Sequence, residues 1–180
     1  MPTNSKWRPV AEPDRIIRFD GQTLEVSPSM YAGKRHSFYS ATEYGIWREK
    51  GGGSRYALII LSRLRPSTNY VFGLSLQRTL AAHIESEFED ELVELGQLQT
   101  IAADLGALEF QPFRVDTGSC AAIRWFGWKQ NEWMGVRGTD VQLGTAALRG
   151  FYCEVTEHPI SADRARAFAN AIRLRENPPW

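Results

Sequence analysis

The stretch from residue 118 to 155 constrains this chain most. It opens Gly118-Ser119-Cys120-Ala121-Ala122-Ile123-Arg124-Trp125-Phe126 and ends Leu148-Arg149-Gly150-Phe151-Tyr152-Cys153-Glu154-Val155. Both ends carry the β-branched, aromatic and small apolar residues of strands, and each holds one of the chain's 2 cysteines. Alternation puts Cys120 with Ala122 and Phe126, and Cys153 with Phe151 and Val155. If the two strands are antiparallel neighbours, the cysteines can face each other beneath an apolar layer. Two readings of the pair stay open: a structural disulfide, which an exported chain would keep, or two buried thiols, which suit a reducing compartment. Neither cysteine stands at an expected helix start or beside a histidine, so neither reads as an activated nucleophile.

The remaining organisation follows from periodicity. Residues 1–14 contain three prolines and few apolar residues, and read as a mobile arm. Residues 15–19 and 22–26 flank Asp20-Gly21 and predict a hairpin with a type I′ turn, ended by Ser27-Pro28-Ser29. Residues 30–34 read as loop. Strands are expected over 36–40 and 44–49. Gly51-Gly52-Gly53-Ser54 is a hairpin loop rather than a phosphate cradle, because a strand-like run (56–61) follows where a phosphate site needs a helix. That run is apolar throughout and predicts a central strand covered on both faces.

Leu76, Leu80, Ile84, Phe88, Leu92 and Leu95 form one stripe and predict a long helix over 74–95, with Ser75 as N-cap. The acidic run from Glu85 to Glu94 opposes the macrodipole, so either the helix breaks near Glu89 or basic neighbours meet the acids. A short helix over 97–105 with Gly106 as its C-cap comes next. Pro112 makes the strand over 107–115 an edge or bulged strand. Met134 to Val141 extends a hairpin. Ser161 caps a last helix reaching Leu174, with Ala165, Phe168, Ala169 and Ile172 inward. The tail 176–180 is loose. Residues 15–175 therefore form a single α+β domain: an antiparallel sheet flanked by a long central helix and a C-terminal helix.

Chemistry is sparse. Lys+Arg and Asp+Glu are 21 each, so no electrostatic footprint for nucleic acid exists, and no apolar run reaches transmembrane length. His36, His83 and His158 are scattered. His83 and Glu87 alone have ligand spacing, on a flank that reads as solvated, so no metal or cofactor is expected. No nucleophile elbow, dinucleotide fingerprint or phosphate loop is present. Six tryptophans are mostly core. The set Arg124, Trp125, Trp128 and Trp133 is the candidate ligand surface, although Trp125 and Trp128 share a face only if Gly127 supplies a bulge.

The strand Cys120-Ala121-Ala122-Ile123-Arg124-Trp125, the later Leu148-Arg149-Gly150-Phe151-Tyr152-Cys153, and a terminal helix closing at Ile172-Arg173-Leu174 resemble a family. Over 107–175 the chain is similar to small uncharacterised exported proteins and lipoproteins of Gram-negative bacteria, with a PsbP-like sheet flanked by helices. The resemblance implies structural cysteines, no catalytic residues, and a binding or scaffold domain of the periplasm or envelope. No lipobox cysteine or apolar leader is visible. The polar start 2–6 suits a mature exported chain behind an added methionine, and equally a cytosolic protein. The expectations are thus a non-catalytic envelope domain contacting an unknown protein or small ligand; a cytosolic enzyme or ligand-binding protein with a pocket near Trp125–Trp133; or an adaptor docking a partner on a helix face from Glu85 to Glu94.

Overall fold

The computed structural model describes residues 6–37, 40–65, 72–73, 78–127 and 143–175, with backbone alone at 72–73 and 143–144. Its strands are β1 (Arg8–Pro9), β2 (Ile17–Phe19), β3 (Val26–Arg35), β4 (Ser40–Glu49), β5 (Tyr56–Leu64), β6 (Phe72–Gly73), β7 (Glu94–Leu95), β8 (Gln99–Ala103), β9 (Gly106–Val115), β10 (Gly118–Gly127), β11 (Leu143–Gly144), β12 (Ala146–Glu154) and β13 (Ile172–Leu174). The helices are α1 (Leu80–Glu87) and α2 (Ala162–Asn170). Nine strands form one antiparallel sheet in the order β1-β3-β4-β5-β12-β10-β9-β7, with β8 also on β9. Two ribbons, β2 with β13 and β6 with β11, complete the set.

The expected α+β layout with a long central helix is therefore incorrect; the described chain is mostly antiparallel strand. α1 has 8 residues, starts from Thr79, whose side chain accepts from the Ala82 amide, and stops at Phe88. The acids past Glu87 explain the stop: extending the helix would crowd carboxylates at its negative end. Leu80, Ile84 and Phe88 are buried as the stripe required, but Leu92 and Leu95 are exposed and Glu94–Leu95 is a strand. No single helix face runs from Glu85 to Glu94. Ser75 and Leu76 lie outside the described residues, as do residues 134–141.

Other elements also differ. Residues 99–103 are β8 rather than a helix, because they can pair with β9 across the turn at Gly106, whose φ is +111°. Asp20-Gly21 does not make a hairpin. Gly21 has φ −78°, residues Gln22–Leu24 form a 3-10 turn, and β2 pairs with β13 near the other end of the chain. Residues 30–34 are strand, since β3 continues to Arg35 after a bulge between Pro28 and Met30. The N-terminal stretch contributes β1, which pairs with β3. β9 is not an edge strand along its length, but Pro112 falls where its outer ladder is interrupted, between Phe113 paired with β7 and Phe110 paired with β8. It has β10 on one side, with Pro112 opposite Ala121, and β7 and β8 share its other side. The Pro112 carbonyl accepts from the Gly96 amide at 2.7 Å, so the missing N–H faces the gap between β7 and β8. Gln111 Nε2 supplies the donor that proline lacks, 3.0 Å from the Gly96 carbonyl.

Strand alternation sorts the large sheet into two faces. One is fully covered. Ala57, Ile59, Leu61, Ala121, Ile123, Leu148 and Tyr152 there meet Ala165, Phe168 and Ala169 of α2, and all are buried. Gly45, Gly127 and Gly150 leave flat spots on this face. A methyl at Gly127 would stand 1.8 Å from the Trp125 ring, and one at Gly150 would stand 2.9 Å from Phe168. Trp47, Trp125 and Phe168 lie against those spots, which is how large rings pack flush on a sheet. Ser161 caps α2 by accepting from the Arg164 amide, as its position predicts. The helix stops at Asn170, so the inward Ile172 belongs to β13. Buried Glu43 ties the terminal ribbon down. It accepts from Tyr31 Oη at 2.5 Å and from the Ile16 amide at 3.3 Å, while Tyr31 Oη accepts from the Ile17 amide.

Candidate ligand groove on the second sheet face

Among the described residues the other face is covered on one half only. Cys120 and Cys153 are direct cross-strand partners on β10 and β12 and form a disulfide there. α1 lies over them: Leu80, Ile84 and Phe88 pack against Phe113, Val115, Ala122 and Phe151. Phe88 meets Phe113 and Phe151 edge-on, with ring centroids 5.0 and 5.8 Å apart. α1 is too short to reach across β5 and β4. Leu58, Ile60, Thr42, Tyr44 and Ile46 are consequently only half-buried, while the alternate residues Ala57, Ile59, Ala41 and Trp47 are fully covered beneath. The expectation that β5 is central holds, but one of its faces is open.

The open half is a groove of about 600 Å³ lined by Trp7, His36, Thr42, Tyr44, Ile46, Leu58, Ile60, Ser62, Glu87 and Arg149. Strand register organises its floor into cross-strand rows. Arg149, Ile60, Tyr44 and Ala32 form one row; Phe151, Leu58, Ile46 and Met30 form the next. On the other flank run Ala147, Ser62, Thr42 and Lys34. Trp7 walls the far end, standing edge-on to Tyr44 with centroids 4.8 Å apart. His36 Nε2 bonds Thr42 Oγ1 at 2.8 Å, and Thr42 bonds Ser62 Oγ at 3.2 Å.

The near end is cationic. Arg149 and Arg124 are directly opposed across β12 and β10, an arrangement that is repulsive unless compensated. Arg124, 5% exposed, has its counter-charge: Nε lies 2.6 Å and Nη2 2.5 Å from Glu109 Oε2. It also donates to the Arg78 carbonyl. Arg149 has a different neighbour. Its Nη1 donates to His83 Nδ1 at 2.7 Å, which requires a neutral imidazole. Burial, then Arg149, Arg124 and Arg78, push His83 down to about 4. Burial also lowers Arg149, against the attraction of Glu87, and raises the Glu87 carboxyl, against Arg149. His83 and Glu87, expected on a solvated flank, thus border the groove. Among the described residues no group of three or more His, Cys, Asp or Glu could hold a metal ion.

His83 should make stability fall in acid. Its folded value lies below its ordinary one, so the unfolded chain binds the proton first. The stabilisation is complete above about pH 6.5 and is lost as pH falls through about 4. His83→Asn keeps an acceptor for Arg149 without titrating. Urea melts between about pH 7 and about pH 4.5 should show a shallower loss in this variant, by on the order of 1 kcal/mol for a half-exposed group. Equal losses in both proteins would contradict this assignment.

Of the residues expected to form a ligand surface, Arg124 and Trp125 point to opposite faces, and both are buried. Trp128 and Trp133 lie outside the described residues. Trp125 instead borders a cavity of about 400 Å³ on the covered side, with Asp104, Leu105, Ile172, Arg173 and Leu174. The groove was missed in sequence because the apolar run in β5 conceals which side is covered. The available signal was Arg149, a lone cation between Leu148 and Gly150 in an otherwise apolar strand.

No known family, curated protein or solved structure matches this chain. Among the described residues no helix is long and apolar enough to cross a membrane.

Proposed function

We propose that this chain is a non-catalytic binding domain of an oxidising compartment, and that the half-open sheet face is its binding site. One observation carries the reading: half-buried Ile46, Leu58, Ile60 and Tyr44 stand beside polar groups that line one cavity. Concave apolar surface with a few placed polar groups is the usual form of a small-ligand site. Binding is favoured over catalysis because the polar groups already hold one another: His83 accepts from Arg149, and His36, Thr42 and Ser62 form a chain. The disulfide supports an oxidising compartment, and the bacterial periplasm or envelope is the compartment proposed.

A neutral solvatochromic naphthalene dye tests the site. Its emission should shift to the blue on binding. Ile60→Gln and Trp7→Ala should each weaken binding by roughly fivefold or more, through lost apolar contact. Unchanged affinity in both variants would place dye binding elsewhere and remove the reading.

A further inference from the structure

We propose that the groove takes a free single-chain amphiphile with an anionic head, lying across the strands with its head at Arg149 and its tail toward Trp7. The inference rests on the groove being the binding site proposed above, and adds the class of ligand.

Charge fixes the head. Arg124 and Arg149 are cross-strand neighbours, but only Arg124 is paired with a carboxylate, Glu109. Among the described residues Arg149 has no carboxylate at ion-pair distance, and its bonded neighbour is an imidazole that must be neutral. One N–H of its guanidinium is committed to His83, and the side chain lines the groove. A carboxylate or phosphate monoester would give Arg149 the direct ion pair that no described residue supplies, through the planar fork suited to such anions. His83 holds the fork in place from below. Glu87 lines the same groove and attracts Arg149 from beyond ion-pair distance, so an anionic head competes with it for the guanidinium.

Shape fixes the tail. From Arg149 the row continues through Ile60 to Tyr44, flanked by Leu58 and Ile46. Two inter-strand steps of about 4.8 Å give a track of about 10 Å between Arg149 and Tyr44. That suits a medium-length chain. Trp7 and Tyr44, set edge to face, close the far end with apolar ring surface. Lys34 Nζ lies over the Trp7 ring at 5.9 Å. The floor is apolar between a cationic end and an aromatic end, so a chain with one polar terminus fits in one direction only.

Displacement of the neutral dye from the intact protein tests the inference, using dodecanoate below its micelle concentration, dodecanol, and vesicles containing phosphatidylglycerol. Dodecanoate should displace the dye at a concentration roughly tenfold or more below that of dodecanol, from the charge-assisted bonds to Arg149. Arg149→Met, which keeps the side-chain stem, should bring dodecanoate to the level of dodecanol. Equal potency of the two in the wild-type protein would overturn the anionic head while leaving the groove as an apolar binding site. A dye that does not bind the groove removes both. Displacement by vesicles but not by dodecanoate would overturn the free amphiphile in favour of a bilayer headgroup.

Discussion

Glu109→Gln should lower the unfolding free energy by roughly 3–5 kcal/mol, because it strands a buried cation. Arg124 is almost wholly enclosed, and among the described residues Glu109 is the only carboxylate bonded to it. Arg149 faces Arg124 from the other side of the row, so removing Glu109 leaves two facing arginines without the counter-charge that Glu109 gives Arg124. The pattern across variants is diagnostic. Replacing the pair together, Glu109→Leu with Arg124→Met, should cost far less than Glu109→Gln alone, since an apolar pair needs no counter-charge. Adding Arg149→Met to Glu109→Gln should recover part of the loss by removing the repulsion. Chemical denaturation of the four proteins measures this. A Glu109→Gln loss below about 1 kcal/mol, typical of an exposed pair, would show that Arg124 is not the enclosed cation described.

The second large effect is removal of the disulfide. Cys120 and Cys153 are 33 residues apart in sequence, and closing a loop of that length limits the unfolded chain. The chain-entropy relation gives roughly 4 kcal/mol, and on a domain of this size that is about a 10 °C fall in Tm. The Cys120→Ala, Cys153→Ala variant should lose this amount. Reduction of the wild-type protein should reproduce the loss. α1 rests on these two residues, so the variant should also lose protection of the α1 amides against hydrogen exchange before the α2 amides, which pack on the other face. A variant as stable as the wild type would make the bond incidental.

Some of this architecture is written locally and some is not. The pairing of the strands around Cys120 and Cys153 was legible because alternation gives each a clear apolar face, and the Ser161 cap and the inward Ala165, Phe168 and Ala169 were legible for the same reason. The glycine loop at 51–53 was legible through its composition. The long helix was not, because Leu92 and Leu95 continue its spacing without being buried. Helical periodicity says what a helix would do with a segment. It does not say whether that segment has something better to pair with. Residues 94–95 and 99–103 do, since the side of β9 away from β10 has ladder groups to satisfy. The Asp20-Gly21 hairpin failed in the same way: β2 found β13, more than 150 residues away, and no local rule anticipates that partner. The groove was hidden for a third reason. Whether Leu58 and Ile60 are covered depends on the length of α1, which belongs to another part of the chain.

The central claim is that the half-open face, and not the cavity beside Trp125, receives ligand. Amide and indole chemical shifts recorded during a dodecanoate titration test it most directly. Saturable changes are expected at Ile60, Tyr44, Ile46 and Arg149 and at the Trp7 indole, with Leu105, Trp125 and Ile172 still. Changes centred on Leu105, Trp125 and Ile172, with the Trp7 indole unmoved, would contradict it.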